Sequence, residues 1–318
     1  MAGRVFVTGG SGFVGSAVID ALLERGHGVN ALVNRRAIDE GEPVRSIPGG
    51  LFDTAALDEG MRDCEAVIHL VGIIMEKRSK GITFERMHFE ATRNVVDAAK
   101  RAGVKRYVHM SALGVRPGAV SDYHTTKYRA EQYVRESGLD WTIFRPSLIH
   151  GPGGEFMQME AKWARRKAPP FLFMPYFGAG ALGRGGAGML QPVHVDDVAR
   201  AFVEAVEKPE TIGEIYPIAG PDRVTWPELH RISAEAIVGK PRWVMALPVW
   251  KAKLLTRLVP GALLPFNRDQ VIMSQEDNTA DLAKFIADFG WTPRGFEPSL
   301  REYAGEIGTK ARRHEGTK

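Results

Sequence analysis

Short runs of β-branched and other apolar residues recur along the first two-thirds of the chain, and longer segments with helical spacing separate them. Runs of this length and composition predict buried β-strands. Strands that alternate with helices are typical of a parallel sheet covered by helices on both faces. The pattern therefore predicts an α/β fold with a doubly wound parallel sheet. The predicted strands are RVFVT (4–8), GVNALV (28–33), EAVIHLV (65–71), KRYVHM (105–110), WTIFRPS (141–147) and EIYPIAG (214–220).

Two of the intervening segments show the helical period clearly. The first carries its apolar residues over 14–22 and ends at Gly26, a residue suited to a left-handed helix end. In the second, over 84–102, the apolar side chains fall on one face. Asp97 and Arg101 lie four residues apart on the other face, where we expect them to form an ion pair.

The amino-acid composition of the chain changes after Gly151, which predicts a second region of the protein. KAPPFLFMPYFGAGALGRGGAG (167–188) is rich in proline and glycine and is predicted to be a mobile loop, whereas PVHVDDVARAFVEAVEK (192–208) resumes a helical pattern that Asp196 or Asp197 is placed to cap. A mostly helical remainder predicts a smaller C-terminal lobe. The predicted organisation is a nucleotide-binding domain over 1–150 with 190–220 returning to it, a substrate-side lobe over 151–189 and 221–307, and a disordered tail over 308–318.

Composition sets limits on function without naming one. The chain has 318 residues, 44% of them hydrophobic, and its 42 basic and 38 acidic side chains leave an excess too small to indicate nucleic acid as a partner. Cys64 is the one cysteine, so no internal disulfide can form and a reducing compartment is expected. No secretory signal and no apolar run of about 18 residues is visible. We therefore expect a cytoplasmic protein, with peripheral membrane contact left open.

Glycines directly after the first predicted strand suggest a nucleotide site. Gly9, Gly12 and Gly15 have the spacing G-x-x-G-x-x-G between that strand and an amphipathic helix. Such glycines allow a tight turn, close approach of backbone amides to a pyrophosphate, and close packing of helix on strand, while the helix N-terminus favours negative charge. The stretch therefore predicts a dinucleotide cofactor.

The end of the second predicted strand indicates which dinucleotide is preferred. An acidic residue there would accept hydrogen bonds from an adenosine ribose hydroxyl, but the chain has Asn34, Arg35 and Arg36 instead. Because the arginine fork suits a phosphate, NADP(H) is predicted over NAD(H), which stays open. Asp53 is either an adenine contact or the cap of the following helix.

The candidate catalytic residues are Ser111, Tyr123 and Lys127. Tyr123 and Lys127 lie four residues apart, so on a helix they share one face. An isolated tyrosine has a pKa of about 10, and we expect the nearby ammonium to lower it by favouring the phenolate. Tyr123 would then exchange a proton with a substrate oxygen, Ser111 would orient that oxygen, and Lys127 would also hold the cofactor ribose.

These motifs and their order resemble the short-chain dehydrogenase/reductase superfamily, with TGGSGFVG, HLVG, Ser111 and Tyr123 to Lys127 in sequence. VIHLVGII, FERMHFEATRNVVDAA, RPSLIHGP and QPVHVDDVARAF resemble more narrowly the extended, epimerase/dehydratase-like enzymes, in the branch with the nucleotide-binding accessory subunit of respiratory complex I. The resemblance implies a Rossmann-like fold, an NAD(P) cofactor and, beside the residues above, the following cofactor contacts: Thr8, Phe13, Val14, Leu70, Val71, Gly72, His88, Lys127 and Pro146.

The chain departs from this family at two places. The stretch ALGVRPGAVSD between Ser111 and Tyr123 is shorter than in sugar epimerases, which puts a sugar-nucleotide substrate in doubt. His88 stands where the superfamily often has an asparagine that relays protons through water, and a histidine can relay protons too. Other histidines fall near strand ends without the spacing of metal ligands, so no metal is predicted, and His109 and His194 are expected to line the pocket.

Two classes of function follow. The chain is either an NADP(H)-dependent oxidoreductase or epimerase-like enzyme acting on a small carbonyl or alcohol, or a non-catalytic protein that holds NADP(H) as a structural group or redox sensor, associated with a membrane or a respiratory complex. The intact Ser111, Tyr123 and Lys127 favour the enzyme. The sequence names neither the substrate nor the oligomeric state.

One further segment, RWVMALPVWKAKLLTRLVPGALLPF (242–266), places large apolar residues around Lys251, Lys253 and Arg257. If 249–258 is helical, the three cations can lie opposite the apolar residues, as in helices that bind a surface. One interpretation is that the segment packs the smaller lobe and covers the substrate cleft. The other is weak, reversible contact with an anionic membrane surface or a lipid-like ligand.

Overall fold

A computed structural model of the chain describes residues 3–34, 41, 43–183, 188–259, 264 and 266–307. Within these ranges, the chain divides into two compact units. Unit 1 comprises Met1–Pro146, Val195–Ile218 and Asp281–Trp291. Unit 2 comprises Ser147–His194, Ala219–Ala280 and Thr292–Lys318. The predicted tail over 308–318 lies outside the described residues, as do Arg35 and Arg36.

The described strands follow one another in this order: β1 Arg4–Thr8, β2 Gly28–Val33, β3 Val44–Pro48, β4 Cys64–His69, β5 Arg106–Met110, β6 Asp140–Pro146, β7 Ile149–His150, β8 Met174–Gly178, β9 Val193–His194, β10 Glu214–Ile218 and β11 Val244–Pro248. The described helices are α1 Phe13–Glu24, α2 Thr54–Gly60, α3 Ala91–Ala102, α4 Asp122–Arg135, α5 Glu155–Ala164, α6 Val195–Glu207, α7 Trp226–Val238, α8 Val249–Leu258, α9 Arg268–Met273, α10 Ala283–Phe289 and α11 Phe296–Tyr303. A π-helical turn, Glu85–Glu90, leads directly into α3, and short 3₁₀ turns lie at Arg78–Lys80 and Pro209–Thr211.

A seven-stranded parallel sheet forms the centre of unit 1 among the described residues, in the order β3-β2-β1-β4-β5-β6-β10. Its central strands are buried on both faces, and Val5, Phe6 and Val7 of β1 have no exposed surface. Near-continuous apolar runs are typical of such strands. The α/β prediction with a doubly wound parallel sheet is therefore confirmed. Strand β3 is not predicted by the apolar runs, because its residues VRSIP mix polar and apolar positions at the edge of the sheet.

Helices cover both faces of this sheet. On one face α1 packs on α6, and Arg25 of α1 forms ion pairs with Glu204 and Glu207. On the other face lie α2, α3 and α4. The expected ion pair within α3 is not formed: Asp97 accepts a hydrogen bond of 2.7 Å from Tyr133 of α4, and Arg101 pairs with Asp58 of α2.

The C-terminal sequence is divided between the two units. The segment Asp281–Trp291, which the sequence places in the predicted smaller lobe, belongs to unit 1. Phe285 and Phe289 of α10 pack on the ring of Tyr216 in β10, whose hydroxyl donates a hydrogen bond of 2.7 Å to Asp288. This packing attaches α10 to the edge of the large sheet.

Unit 2 has two small parallel sheets, in which β7 pairs with β9 and β8 pairs with β11. Its apolar core includes Met157 of α5, Leu229 of α7 and Leu300 of α11. The prediction that 167–188 is only a loop is wrong for the described part, because β8 forms within it and finds its partner strand far along the chain. No helix in the described ranges is both long and apolar enough to cross a bilayer.

Candidate functional site

The glycine-rich turn joins β1 to α1. Gly9 has a φ of +79°, a conformation that side chains with a Cβ rarely adopt. A Cβ on Gly15 would lie 2.0 Å from the carbonyl oxygen of Gly9, so only glycine permits this contact between turn and helix. Gly12 is extended, with φ −86° and ψ 173°, and a Cβ there would lie 3.2 Å from the same oxygen. Gly9 and Gly15 therefore build the turn, whereas Gly12 leaves space beside it.

The N-terminus of α1 has features that fit a dinucleotide phosphate. Gly12 caps the helix without a side chain, so no side-chain oxygen occupies its first amides. Phe13 and Val14 are partly exposed at the first turn. Thr8 differs from them, because it is fully buried and its hydroxyl hydrogen-bonds His69 Nδ1 at 2.6 Å. The prediction of Thr8 as a cofactor contact is thus restricted to its backbone.

Only one of the three residues predicted to determine the preference for NADP(H) over NAD(H) lies in the described part of the chain. Asn34 is exposed just past β2, while Arg35 and Arg36 lie outside the described residues. Asp53 caps α2, since its Oδ1 accepts a hydrogen bond of 3.1 Å from the Ala56 amide. The cap interpretation of Asp53 is confirmed, and its contact with adenine stays a prediction.

Strand β5 and helix α4 position the candidate catalytic residues. Ser111 directly follows β5, and its amide donates a hydrogen bond of 2.8 Å to the Phe144 carbonyl of the neighbouring strand. Its side chain is 3% exposed, and Oγ has no hydrogen-bond partner among the described residues. Ser121 caps α4 by accepting from the His124 amide at 3.1 Å, which begins the helix just before Tyr123. A buried hydroxyl without a partner is unfavourable, so Ser111 is suited to a ligand.

Lys127 lies at the centre of this group. Its side chain is 4% exposed, and Nζ donates a hydrogen bond of 3.1 Å to the Met110 carbonyl at the end of β5. Nζ is also 5.7 Å from the centroid of the Tyr123 ring. Burial lowers the pKa of Lys127 to about 8, although nearby Glu131 opposes the shift. The lysine is thus held in one place with most of its donor capacity unused.

The pKa of Tyr123 moves in the direction opposite to the sequence prediction. We expected Lys127 to lower it, but burial raises it above its ordinary value of 10.0. The ring is enclosed by Phe84, His88 and His124, which are in edge contact with it. Removal of water from the phenol therefore outweighs the ammonium, and the protonated form of Tyr123 is favoured.

His88 is held by hydrogen bonds at both ring nitrogens. Nδ1 lies 2.9 Å from the Thr126 hydroxyl, and the Ile73 amide donates to Nε2 at 3.1 Å. Nε2 also lies 3.1 Å from the Ile73 carbonyl oxygen, so either ring nitrogen can carry the imidazole proton. Burial lowers the pKa of His88 well below 6.5. A relay through His88 therefore lacks a free nitrogen, and His88 is placed to position its neighbours.

His88 belongs to the π-helical turn that precedes α3, and such turns are frequent at functional sites. Thr92 and Thr126, which the sequence did not single out, and the side chain of Thr8 hydrogen-bond the histidines around it. His69 Nε2 lies 3.2 Å from the hydroxyl of Thr92, which donates to the His88 carbonyl at 2.5 Å. The spacing of Thr92 four residues after His88, which places its hydroxyl one helical turn away, is the sequence feature that indicates this arrangement.

The segment after β4 passes directly over the lysine. Leu70 is buried, Val71 is partly exposed and Gly72 is exposed. A Cβ on Gly72 would lie 3.2 Å from Lys127 Nζ and 3.8 Å from His88 Nε2. Glycine therefore keeps the backbone close to both groups. Pro146 is buried at the end of β6, where its carbonyl accepts from the Leu113 amide at 2.9 Å.

The histidines expected to line a pocket have different surroundings. His109 is 2% exposed and stacks on His69 and Tyr107, and neither ring nitrogen has a partner among the described residues. His109 therefore lies in the same buried cluster as His69, and its contact with a pocket stays a prediction. His194 is in unit 2, where its Nδ1 lies 2.9 Å from Arg294. Within the described ranges, no group of three metal-binding side chains occurs.

Comparisons with known proteins agree with this geometry. A family model described as NAD(P)H-binding matches residues 9–162. A ceramide reductase of Caulobacter vibrioides is 28% identical over 247 residues, or 76% of this chain and 73% of that protein. The mitochondrial NADH dehydrogenase [ubiquinone] 1 alpha subcomplex subunit 9 of Arabidopsis thaliana is 26% identical over 297 residues, or 89% and 70%. The structure of a Thermus thermophilus UDP-glucose 4-epimerase with NAD has a TM-score of 0.72 at 23% identity, covers 96% and 99% of the two chains, and supports the fold.

Residues 9–162 match an NAD(P)H-binding family model, and the glycine turn and parallel sheet of unit 1 are typical of a nucleotide-binding domain. The buried Ser111, Lys127 and uncapped α1 fit an NAD(P) cofactor.

Proposed function

We propose that the protein is an NADP(H)-dependent reductase of a carbonyl compound, with Ser111, Tyr123 and Lys127 as its catalytic residues. The observation that carries the proposal is the placement of the buried Lys127 Nζ 5.7 Å from the ring of the partly buried Tyr123, on one face of α4 beside the end of β5. A solvated helix would not bury a lysine without an ion pair, because desolvation of a charge is unfavourable. The burial therefore supports a functional role.

The protonation state of Tyr123 favours the reductive direction. When bound, the nicotinamide supplies or accepts a hydride. Tyr123 is protonated at neutral pH, because burial raises its pKa, so it can donate a proton to the oxygen of a carbonyl substrate. The Ser111 hydroxyl has no other partner in the described chain and can donate a hydrogen bond to the same oxygen. The Lys127 ammonium then stabilises the phenolate that proton donation leaves.

Two observations support a reductase over a sugar-nucleotide epimerase. The stretch between Ser111 and Tyr123 is short, which leaves little chain to build a sugar pocket at that point. The relative from Caulobacter vibrioides is a ceramide reductase, and its name indicates reduction of a lipid. We therefore place amphipathic carbonyl compounds first among the substrates to be tested.

The cofactor contacts are proposed on the same basis. The backbone of Thr8, the glycine turn with Phe13 and Val14, and Leu70 to Gly72 surround the space next to Lys127 Nζ and the start of α1. Asn34, Arg35 and Arg36 would carry the choice of NADP(H), and Asp53 and Pro146 complete the predicted set. His88 acts by holding Ile73 and Thr126 in place.

A second candidate function is a protein that holds NADP(H) without turnover. The Arabidopsis relative, a subunit of a larger enzyme, favours it. Both candidates require the cofactor, so binding alone does not separate them.

Turnover with a matched pair of variants separates the two functions. The purified protein is incubated with NADPH and a panel of carbonyl compounds that includes 3-keto lipids, and oxidation of NADPH is followed. We expect Tyr123→Phe to reduce turnover by about 10²- to 10⁴-fold with NADPH binding kept, and Tyr128→Phe, on the same helix, to have no effect. Tight NADPH binding with no turnover across the panel would establish the non-catalytic function.

A further inference from the structure

Two segments of unit 2 contain no acidic residue. Neither 161–194 nor 236–268 has an Asp or Glu. The basic residues of the two segments are Lys162, Arg165, Arg166, Lys167, Arg184, Lys240, Arg242, Lys251, Lys253, Arg257 and Arg268. Because the whole chain is nearly balanced in charge, this local asymmetry gives unit 2 a strongly basic region.

The same two segments hold most of the large apolar side chains that the described chain exposes. The most exposed of them are Leu258 at 72%, Leu182 at 70%, Leu172 at 68% and Trp243 at 67%. The others in these segments are Phe171, Met245, Trp250, Leu254 and Leu255. A set of exposed apolar side chains this large marks a surface that binds something.

Pairing of β8 with β11 brings these side chains together. At the start of the two strands, Met174 donates to the Trp243 carbonyl at 2.8 Å, and the Phe173 and Trp243 rings are 6.2 Å apart. Phe171 and Leu172 directly precede this point. At the other end, the Trp250 indole donates to the Ala181 carbonyl at 3.1 Å, next to Leu182. The exposed residues therefore lie along one small layer formed by β8, β11 and α8.

Helix α8 has both exposed apolar side chains and basic side chains on its solvent-exposed side. Trp250, Leu254 and Leu258 are spaced four apart and form an exposed apolar row. Ala252 is fully buried and, at two residues or about 200° from Trp250, lies on the opposite side of the helix. Lys253 and Arg257 form a second row beside the apolar one.

The sequence prediction that the cations of α8 lie opposite its apolar residues is therefore wrong. The cations flank the apolar row on the exposed side, because the inward side is taken by Ala252. Lys251 lies 5.4 Å from the Trp250 ring, and none of Lys251, Lys253 and Arg257 forms an ion pair with a described residue. Their charges are thus available to a partner.

We propose that this basic apolar face, formed by Phe171, Leu172, Leu182, Trp243, Met245, α8 and the basic residues around them, docks the protein on an anionic bilayer surface. The apolar row enters the headgroup region while the flanking lysine and arginine ammonium and guanidinium groups stay at the lipid phosphates, as in helices that lie in the interface. Each basic residue near an anionic surface adds to binding, and tryptophan favours this depth. The proposal goes beyond the reductase function and does not depend on it.

Charge argues against two other occupants. In a symmetric dimer the same face would meet itself and bring basic residues against basic residues, which is repulsive. Nucleic acid would compensate the charge, but its phosphate backbone would leave the exposed leucines of the face, Leu172, Leu182, Leu254 and Leu258, without an apolar partner. A bilayer with anionic headgroups satisfies both the charge and the apolar row.

Vesicle flotation tests the proposal with the full chain. The probe is a set of vesicles of phosphatidylcholine alone or of equal parts of phosphatidylcholine and phosphatidylglycerol, at low and at high NaCl. We expect binding only to the anionic vesicles and its loss at high salt. Lys251→Gln/Lys253→Gln/Arg257→Gln weakens binding by roughly fivefold per removed charge, whereas Lys80→Gln/Lys100→Gln/Lys105→Gln, the same change of charge in unit 1, leaves it unaltered.

The apolar row needs its own variants. Leu172→Ser/Trp250→Ser/Leu258→Ser is expected to weaken binding at least tenfold, and the control Val120→Ser/Ile212→Ser is not. Brominated lipids should quench tryptophan emission in the wild type and less in Trp250→Phe. No binding to anionic vesicles at low salt, or equal loss with the unit 1 control variants, would overturn the proposal. If sedimentation shows a dimer that dissociates in the apolar variants, the face mediates self-association and the proposal is also overturned.

Discussion

Tyr123 and Lys127 lie one turn apart on the same side of α4, with Lys127 Nζ 5.7 Å from the centre of the phenol ring and hydrogen-bonded to the Met110 carbonyl. Burial acts on both groups. It raises the pKa of Tyr123 and lowers that of Lys127 to about 8, because it disfavours the charged form of each. The pair thus holds a protonated phenol next to an amine that is still largely charged at neutral pH.

Replacement of Lys127 by Met should change how stability depends on pH. The folded pKa of about 8 is below the ordinary 10.5, so between these values the unfolded chain holds a proton that the folded chain has lost. The free energy of unfolding of the wild type should therefore rise with pH across this window, relative to Lys127→Met, by on the order of 3 kcal/mol. Urea unfolding of the cofactor-free proteins at a series of pH values measures it.

Raised tyrosine pKa values act on both proteins alike above pH about 10, so the difference between the two curves isolates the lysine. Parallel curves for the wild type and Lys127→Met would show that the burial of Nζ has no such effect.

Substitution of Gly12 should separate cofactor binding from folding. Gly12 is extended, and a Cβ meets only the Gly9 oxygen at 3.2 Å, so Gly12→Val should fold with little loss of stability. The added side chain fills the space beside the turn, and we expect NADPH affinity to fall by at least 100-fold. Calorimetry and thermal unfolding measure the two effects.

Gly15→Val is the matched control, because its Cβ would lie 2.0 Å from the Gly9 oxygen and should destabilise unit 1 itself. If Gly12→Val also unfolds, Gly12 has a structural role and the separation fails.

Cofactor preference should depend on the arginines after β2. Since Asn34, Arg35 and Arg36 replace an acidic residue, NADPH should bind more tightly than NADH, and Arg35→Ala should reduce the ratio by about 10- to 150-fold, the effect of losing one charge-assisted phosphate contact. Titration calorimetry with both cofactors gives the ratio. Lys100→Ala, an exposed cation of α3, serves as the control. Equal affinities in the wild type, or an unchanged ratio in Arg35→Ala, would refute the preference.

His109 should make the protein sensitive to acid. Neither ring nitrogen of His109 has a hydrogen-bond partner among the described residues, and burial lowers its pKa well below 6.5. Below pH 6.5 the imidazole of the unfolded chain therefore binds a proton, whereas that of the folded chain stays neutral. Stability should therefore fall as the pH decreases from 6.5. His109→Phe keeps a ring between Tyr107 and His69 and should lose less stability between neutral pH and about pH 5, as measured in urea. An equally steep loss in His109→Phe would assign the acid sensitivity to other groups.

The sequence by itself determined the parts of the protein that depend on local spacing. The β1 to α1 turn follows from Gly9 and Gly15, because the left-handed φ of Gly9 and the lack of room for a Cβ at Gly15 admit only glycine. The shared face of Tyr123 and Lys127 follows from their separation by four residues on a helix. The central strands follow from apolar runs long enough to be buried on both faces.

Only the tertiary structure decided the properties that depend on groups far apart in the chain. Burial of Tyr123 by Phe84 and His88 reversed the expected direction of its pKa. Asp97 and Arg101 found partners on α4 and α2 instead of each other. The strand β8 formed in a proline- and glycine-rich stretch because β11 supplies its hydrogen bonds, and α8 turned its small Ala252 inward, which left its leucines and cations outside. Desolvation and strand pairing are set by neighbours in space, which spacing along the sequence does not encode.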